Sequence, residues 1–108
     1  MISNRQDKSS SYQKDGQNVA SDTLTTFRPV YQSADGSMKL ELVQTYPAGG
    51  SNPRHFAFNK VGTMVAVPLQ DDGKLVIISR DPDSGLLKEI VATGNVAPRP
   101  NMVVWDEL

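Results

Sequence analysis

Arg54, His55 and Gln70 combine residue type and position in ways that could support chemistry. Arg54 follows Pro53 and precedes Phe56-Ala-Phe58, so it opens a short aromatic strand. A guanidinium there could hold a carboxylate or phosphate through its planar fork. It could equally be structural, paired with a turn carboxylate such as Asp71 or Asp72. Histidine is the side chain whose unperturbed pKa lies near neutrality, which makes His55 a candidate general base. Strand alternation, however, puts it on the opposite side from Arg54, the arrangement of a packed or surface histidine. Gln70 ends an apolar run, and its amide could donate to a substrate or to the backbone of the following turn. Asp71, Asp72, Asp81 and Asp83 all fall among turn residues, where aspartate accepts hydrogen bonds from nearby backbone. They read as turn formers, not as a catalytic pair. By composition alone, Arg5 is an ordinary charge beside a polar loop.

Other chemistries find little support. The chain has 108 residues, 38% of them hydrophobic, which allows one small domain with a modest core. Its net charge of −1 gives no electrostatic case for nucleic acid or an anionic membrane. There is no cysteine and one histidine, so neither disulfides nor a zinc site is expected, and no cofactor is called for. Gly49-Gly50 is not followed by a helix and forms no phosphate loop. No apolar run approaches the roughly 20 residues that cross a bilayer. The first residues, MISNRQDKSSSYQ, lack an apolar signal core, so a cytoplasmic location is expected.

The elements that must position these residues read as strands. Residues 1–21 are polar and are expected to be mostly an exposed loop, with Ile2 to Arg5 as the tail of a strand. Leu24 to Phe27 and Val30-Tyr31 suit a strand, although Pro29 assigns its end to an edge or a bend. After a turn at Ser33 to Ser37, Lys39 to Tyr46 alternates as a second strand. Pro47 to Pro53 is a loop. Four short runs follow: His55 to Phe58, Met64 to Leu69, Leu75 to Ser79 and Leu87 to Thr93. The turns between them are Asn59 to Gly62, Gln70 to Gly73 with its Asp-Gly signal, and Asp81 to Gly85. Pro68 interrupts the most apolar run, where a bulge would accommodate it. A fifth run, Asn101 to Trp105, closes the sequence. No segment sustains a helical period, so the expected class is all-β.

Asp35-Gly-Ser-Met-Lys-Leu-Glu-Leu-Val resembles Asp83-Ser-Gly-Leu-Leu-Lys-Glu-Ile-Val, and Phe56 to Phe58 corresponds loosely to Met102 to Val104. The offset of about 46 residues lies in the range of propeller blades. The pattern fits one complete four-stranded antiparallel blade, part of a preceding blade and a further strand.

The motifs resemble the seven-bladed β-propeller lactonase family, which includes 6-phosphogluconolactonases and carboxy-muconate lactonizing enzymes. They are Pro53-Arg54 before an aromatic strand, Asn59-Lys-Val-Gly62, Gln70-Asp-Asp-Gly73, the connection Ile78 to Leu87, and Val103 to Glu107. Upstream, Ser3-Asn4-Arg5 resembles the end of the second strand of the preceding blade. SDTLTTF and KLELVQTYPAGG resemble that blade's third and fourth strands. The resemblance places residues 1–50 at the end of the penultimate blade, with a polar loop over 6–21. Residues 51–95 become the last blade and 96–108 the closing strand.

The resemblance implies a site at one end of a central channel, with Arg5 and Arg54 as catalytic candidates holding an anionic lactone and stabilising its oxyanion. Asn4, His55 and Gln70 become substrate-binding candidates, and Arg99, in Pro98-Arg-Pro100, an outside one. It also implies an incomplete propeller, since about five blades would precede Met1. The alternatives are a muconate-type lactonizing enzyme and a non-catalytic truncated propeller or interaction module. An unpaired strand edge in such a piece invites self-association.

Overall fold

The computed structural model describes residues 1–14, 16–32 and 35–106, with nine strands and no helix among them. The first sheet joins β1 (Ile2–Asn4), β4 (Thr23–Tyr31) and β5 (Met38–Pro47), in the order β1-β4-β5. Strands β6 (Ala57–Phe58), β7 (Met64–Leu69), β8 (Lys74–Arg80) and β9 (Leu87–Asn95) form a four-stranded meander. Every pairing is antiparallel. The all-β expectation therefore holds, and the two repeat copies each enter the last strand of a sheet, β5 or β9.

The core lies where the sheets meet. Leu24 of β4 and Ala48 after β5 join Val65, Val67 and Leu69 of β7, Val76 and Ile78 of β8, and Leu87. From Val65 to Leu69 every residue of β7 is buried, as a strand covered on both faces requires. The turns follow their side chains. Asn59 accepts from Met64 N–H through Oδ1 at 2.9 Å, and its carbonyl accepts from Gly62 N–H at 3.0 Å. Asp81 Oδ1 accepts from Asp83 N–H at 2.9 Å, the leading cause of a carboxyl pKa below the ordinary aspartate value. Asp35 is lowered likewise by the hydroxyl and N–H of Ser37.

The structure corrects several expectations. The polar stretch is not mostly loop: β2 (Ser10–Lys14) and β3 (Gln17–Ser21) form a hairpin across Gly16, whose φ is +78°. Backbone pairing makes this ribbon, with Tyr12 opposite Val19 as its one half-buried apolar pair. So little burial leaves almost no hydrophobic signal in the sequence. Asp15, Ser33, Ala34, Glu107 and Leu108 lie outside the described residues, which removes part of the expected Ser33 to Ser37 turn and the end of the Val103 to Glu107 motif.

The strand expected over His55 to Phe58 shortens to Ala57 and Phe58. Pro68 makes no bulge, because it pairs with Leu75 in an unbroken β7–β8 register. On its other side β6 reaches only Val65 and Ala66, with one further bridge from Pro53 to Leu69, so no ladder partner awaits the missing N–H. The closing run, Asn101 to Trp105, is not a strand. Instead it lies beside β6 through two hydrogen bonds, Val103 N–H to His55 Nδ1 at 3.3 Å and Trp105 Nε1 to the Ala57 carbonyl at 2.8 Å. Without a backbone ladder, an extended segment remains irregular.

Candidate functional site

Asp22 sits between β3 and β4, flanked by Ser21 and Thr23, and all three are fully buried or nearly so. Its backbone N–H donates to the Gly50 carbonyl at 2.9 Å, and its carbonyl accepts from Ala48 N–H at 2.8 Å. Ser21 Oγ reinforces the junction by accepting from the N–H groups of Gly49 and Gly50, each at 3.1 Å. The loop after β5 is thereby stitched to the start of β4.

The Asp22 side chain joins a second loop to this point. Oδ2 accepts from Gln6 N–H at 2.6 Å and from Asn52 N–H at 2.7 Å. Oδ1 accepts from Lys8 N–H at 3.0 Å and faces Lys8 Nζ at 3.7 Å. Burial alone would raise this carboxyl's pKa. The N–H groups of Asn52, Lys8 and Gln6, with the Lys8 charge, outweigh burial and hold it below the ordinary value. Lys8 Nζ also bonds Ser51 Oγ, which closes the same junction from outside.

Beside this junction lies a cleft of about 370 Å³, lined by Arg5, Gln6, Asn52, Arg54 and Gln70. Arg5 stands just after β1 and Arg54 ahead of β6, and both are exposed. Neither guanidinium has a hydrogen bond or ion pair with another described residue. The expected alternative for Arg54, a pairing with Asp71 or Asp72, is thus not formed: Asp72 instead accepts from Ser51 N–H at 2.6 Å, and Asp71 from Asn52 Nδ2 at 3.3 Å. Asn52 is buried in a left-handed conformation, with φ +62°. Its Nδ2 donates to Gln70 Oε1 at 2.9 Å, and its carbonyl accepts from Gln70 N–H at 3.0 Å. Asn52 Oδ1 is buried without a hydrogen-bond partner.

The cleft is lined by two guanidiniums and three amide side chains, with no carboxylate among them. Such a set can hold an anionic group and can stabilise negative charge developing on an oxygen. It offers no side chain able to take a proton from water at neutral pH.

Three of the sequence candidates, Arg5, Arg54 and Gln70, meet at this cleft. Two do not line it. Asn4 Nδ2 donates to Thr23 Oγ1 at 2.8 Å and to Thr25 Oγ1 at 2.7 Å, tying β1 to β4. His55 Nδ1 is engaged by Val103 N–H. Arg99 lines a neighbouring cleft of about 400 Å³ that shares Gln70 and is bordered by Asp71 and Asp72, carboxylates that would repel an anion. Sequence reasoning missed Asp22, Gln6 and Asn52. The available signal was an aspartate between β-forming residues, facing a Gly-Gly loop later in the chain. No group of histidine, cysteine, aspartate or glutamate among the described residues could hold a metal ion.

Antiparallel three- and four-stranded sheets that share one apolar core, with two arginines lining a cleft beside their connecting loops, are arranged as blades of a β-propeller are. A family model described as "Lactonase, 7-bladed beta-propeller" matches residues 1–105, and the chain belongs to that family. Among solved structures, it is similar to the periplasmic gluconolactonase of Pseudomonas aeruginosa, with 29% identity and a TM-score of 0.59 over 74% of this chain and 22% of that one. A candidate 6-phosphogluconolactonase from Bacteroides fragilis shares the fold, with 24% identity and a TM-score of 0.59 over 78% of this chain and 23% of that one. The chain therefore spans less than a quarter of the length of either structure. No curated protein matches it.

Proposed function

We propose that this chain supplies part of the site of a lactone-hydrolysing propeller, with the arginine cleft holding an anionic sugar lactone of the 6-phosphogluconolactone type. One observation carries the reading. Arg5 and Arg54, distant in sequence, line a single cleft that no carboxylate enters. Their guanidiniums pair with the substrate's phosphate or carboxylate and neutralise the carbonyl oxygen as water adds. The ring C–O bond then breaks, and the released alkoxide takes a proton to give the hydroxy acid. The group that activates water is not one of the five lining residues and would come from elsewhere in the whole protein. Lactone hydrolysis by the full-length protein, with and without Arg54→Ala, tests the reading.

A second reading, a non-catalytic module that acts by association, is favoured by one observation. Met38, Leu40 and Leu42 of β5 alternate along one face, each more than half exposed, and pair with Tyr31, Pro29 and Phe27 of β4. An apolar face of this kind commonly marks a contact surface. Sedimentation of the dilute chain checks it, since a clean monomer would remove this reading.

A further inference from the structure

We propose that Asp22 is the positioning residue of the arginine cleft, its buried carboxylate fixing the backbone of the two segments that carry Arg5 and Arg54. The proposal rests on the reading of the cleft as an anion site. It names a residue that lines no part of that cleft.

Three observations converge on it. The first is the bridging atom. Oδ2 alone accepts from Gln6, the neighbour of Arg5, at 2.6 Å and from Asn52, two residues before Arg54, at 2.7 Å. One oxygen therefore sets the spacing between two chain segments that no strand pairing joins. The second is reach. Of the five residues lining the cleft, Gln6 and Asn52 bond Asp22 directly, and Gln70 N–H bonds the Asn52 carbonyl. Arg5 and Arg54 are the remaining two, each within two residues of a bonded one.

The third is strain. Four described non-glycine residues have positive φ, and three of them, Gln6 (60°), Lys8 (48°) and Asn52 (62°), are the three whose backbone N–H groups point at Asp22. Only asparagine adopts that region with any ease, so glutamine and lysine are held there against their preference. Backbone held in this way turns successive N–H groups toward one concavity, which binds an anion. In this chain the anion is the protein's own carboxylate. An anion fully removed from water persists only when several donors meet it, and here they are all backbone N–H groups apart from the Lys8 ammonium. Packing alone would not require a charge at this position.

The test uses the full-length protein and inorganic phosphate as the probe. Asp22→Asn keeps the shape but removes the charge and sets an N–H₂ against an N–H. Leu87→Ala is the control, a core truncation at the far end of β8 from Gln70. Phosphate affinity is expected to fall at least tenfold in Asp22→Asn and to stay within twofold of wild type in Leu87→Ala at comparable loss of thermal stability. A folded Asp22→Asn that binds phosphate like wild type overturns the proposal.

If Asp22→Asn does not fold, a titration that keeps Asp22 decides. As pH falls, the amide resonances of Gln6, Lys8 and Asn52 should shift together with one midpoint. Lys8 is the cation facing Asp22. Three other carboxylates lie near these amides: Asp7, bonded by Thr23 Oγ1 at 2.6 Å, Asp71, bonded by Asn52 Nδ2, and Asp72, bonded by Ser51 N–H. The titrated protein carries Asp7→Asn, Asp71→Asn and Asp72→Asn, so that Asp22 is the carboxylate left to move them. Separate midpoints overturn the proposal. Wild type that binds no phosphate removes the anion-site reading instead, and the joint titration still decides the role of Asp22.

Discussion

Asn52 donates its backbone N–H to Oδ2 of Asp22 at 2.7 Å, and the same oxygen holds Gln6 from the opposite segment. The geometry of the cleft therefore depends on a charge that never touches it. Consequences follow for stability, for acid sensitivity and for turnover.

Removing that carboxylate takes the acceptor from three backbone N–H groups, those of Gln6, Lys8 and the buried Asn52. Asp22→Ala is expected to destabilise the protein by about 3 kcal/mol or more, since bonds to a charged acceptor are the costly ones to lose. Chemical denaturation of both forms measures the difference. A loss below about 1 kcal/mol would contradict the assigned hydrogen bonds.

The acid limb of stability carries the same signature. Folding holds the Asp22 carboxyl below the ordinary aspartate value of 3.8. Its contribution is therefore complete above that value and is lost as pH falls through the folded pKa. Asp35 and Asp81 are shifted in the same direction and add to the fall. Melting temperature followed downward from neutral pH should be flat until about pH 4 and then drop, less steeply in Asp22→Asn. An identical acid limb in the variant would be the contrary result.

Gly50 admits no side chain. A Cβ there would lie 2.2 Å from Asp72 Oδ2 and 2.7 Å from Leu69 Cδ1. Leu69 is fully buried, and Asp72 is held by Ser51 N–H, so neither yields freely. Gly50→Ala should cost about 1–3 kcal/mol, read from the denaturation midpoint. A neutral substitution would mean that this loop is looser than described.

Asn52 separates backbone from side chain. Asn52→Gly keeps the left-handed backbone and its bond to Asp22 but drops the anchor on Gln70 Oε1. Asn52→Ala drops the anchor and adds strain of about 1 kcal/mol. Glycine should thus be the better tolerated of the two in thermal melts. The opposite order would argue against the backbone assignment.

Much of the fold was legible because it is written in burial and turn chemistry. The continuous apolar run Met64 to Leu69 and the Asp-Gly at Asp72-Gly73 announce β7 and its hairpin to β8. The β2–β3 hairpin was not legible, because its ladder is made by backbone and its described side chains, Ser21 apart, are exposed or half-buried. The segment Asn101 to Trp105 has the composition of a strand, but pairing needs a partner as well as composition. Of the residues lining the cleft, Arg54 and Gln70 were singled out by position and Arg5 by the family resemblance of Ser3-Asn4-Arg5. Asp22 was not, since a buried carboxylate becomes intelligible only when the N–H groups of distant loops are seen around it. Alternation did separate His55 from Arg54, but the partner of His55, the Val103 N–H, comes from a distant segment that the sequence does not bring beside it.

The most direct test of the account is kcat/KM for hydrolysis of an anionic sugar lactone by the full-length protein and its Arg54→Ala variant. The account predicts turnover by wild type and a loss of about 100-fold or more in the variant, with folding intact. A folded Arg54→Ala protein that hydrolyses the lactone at the wild-type rate would contradict it.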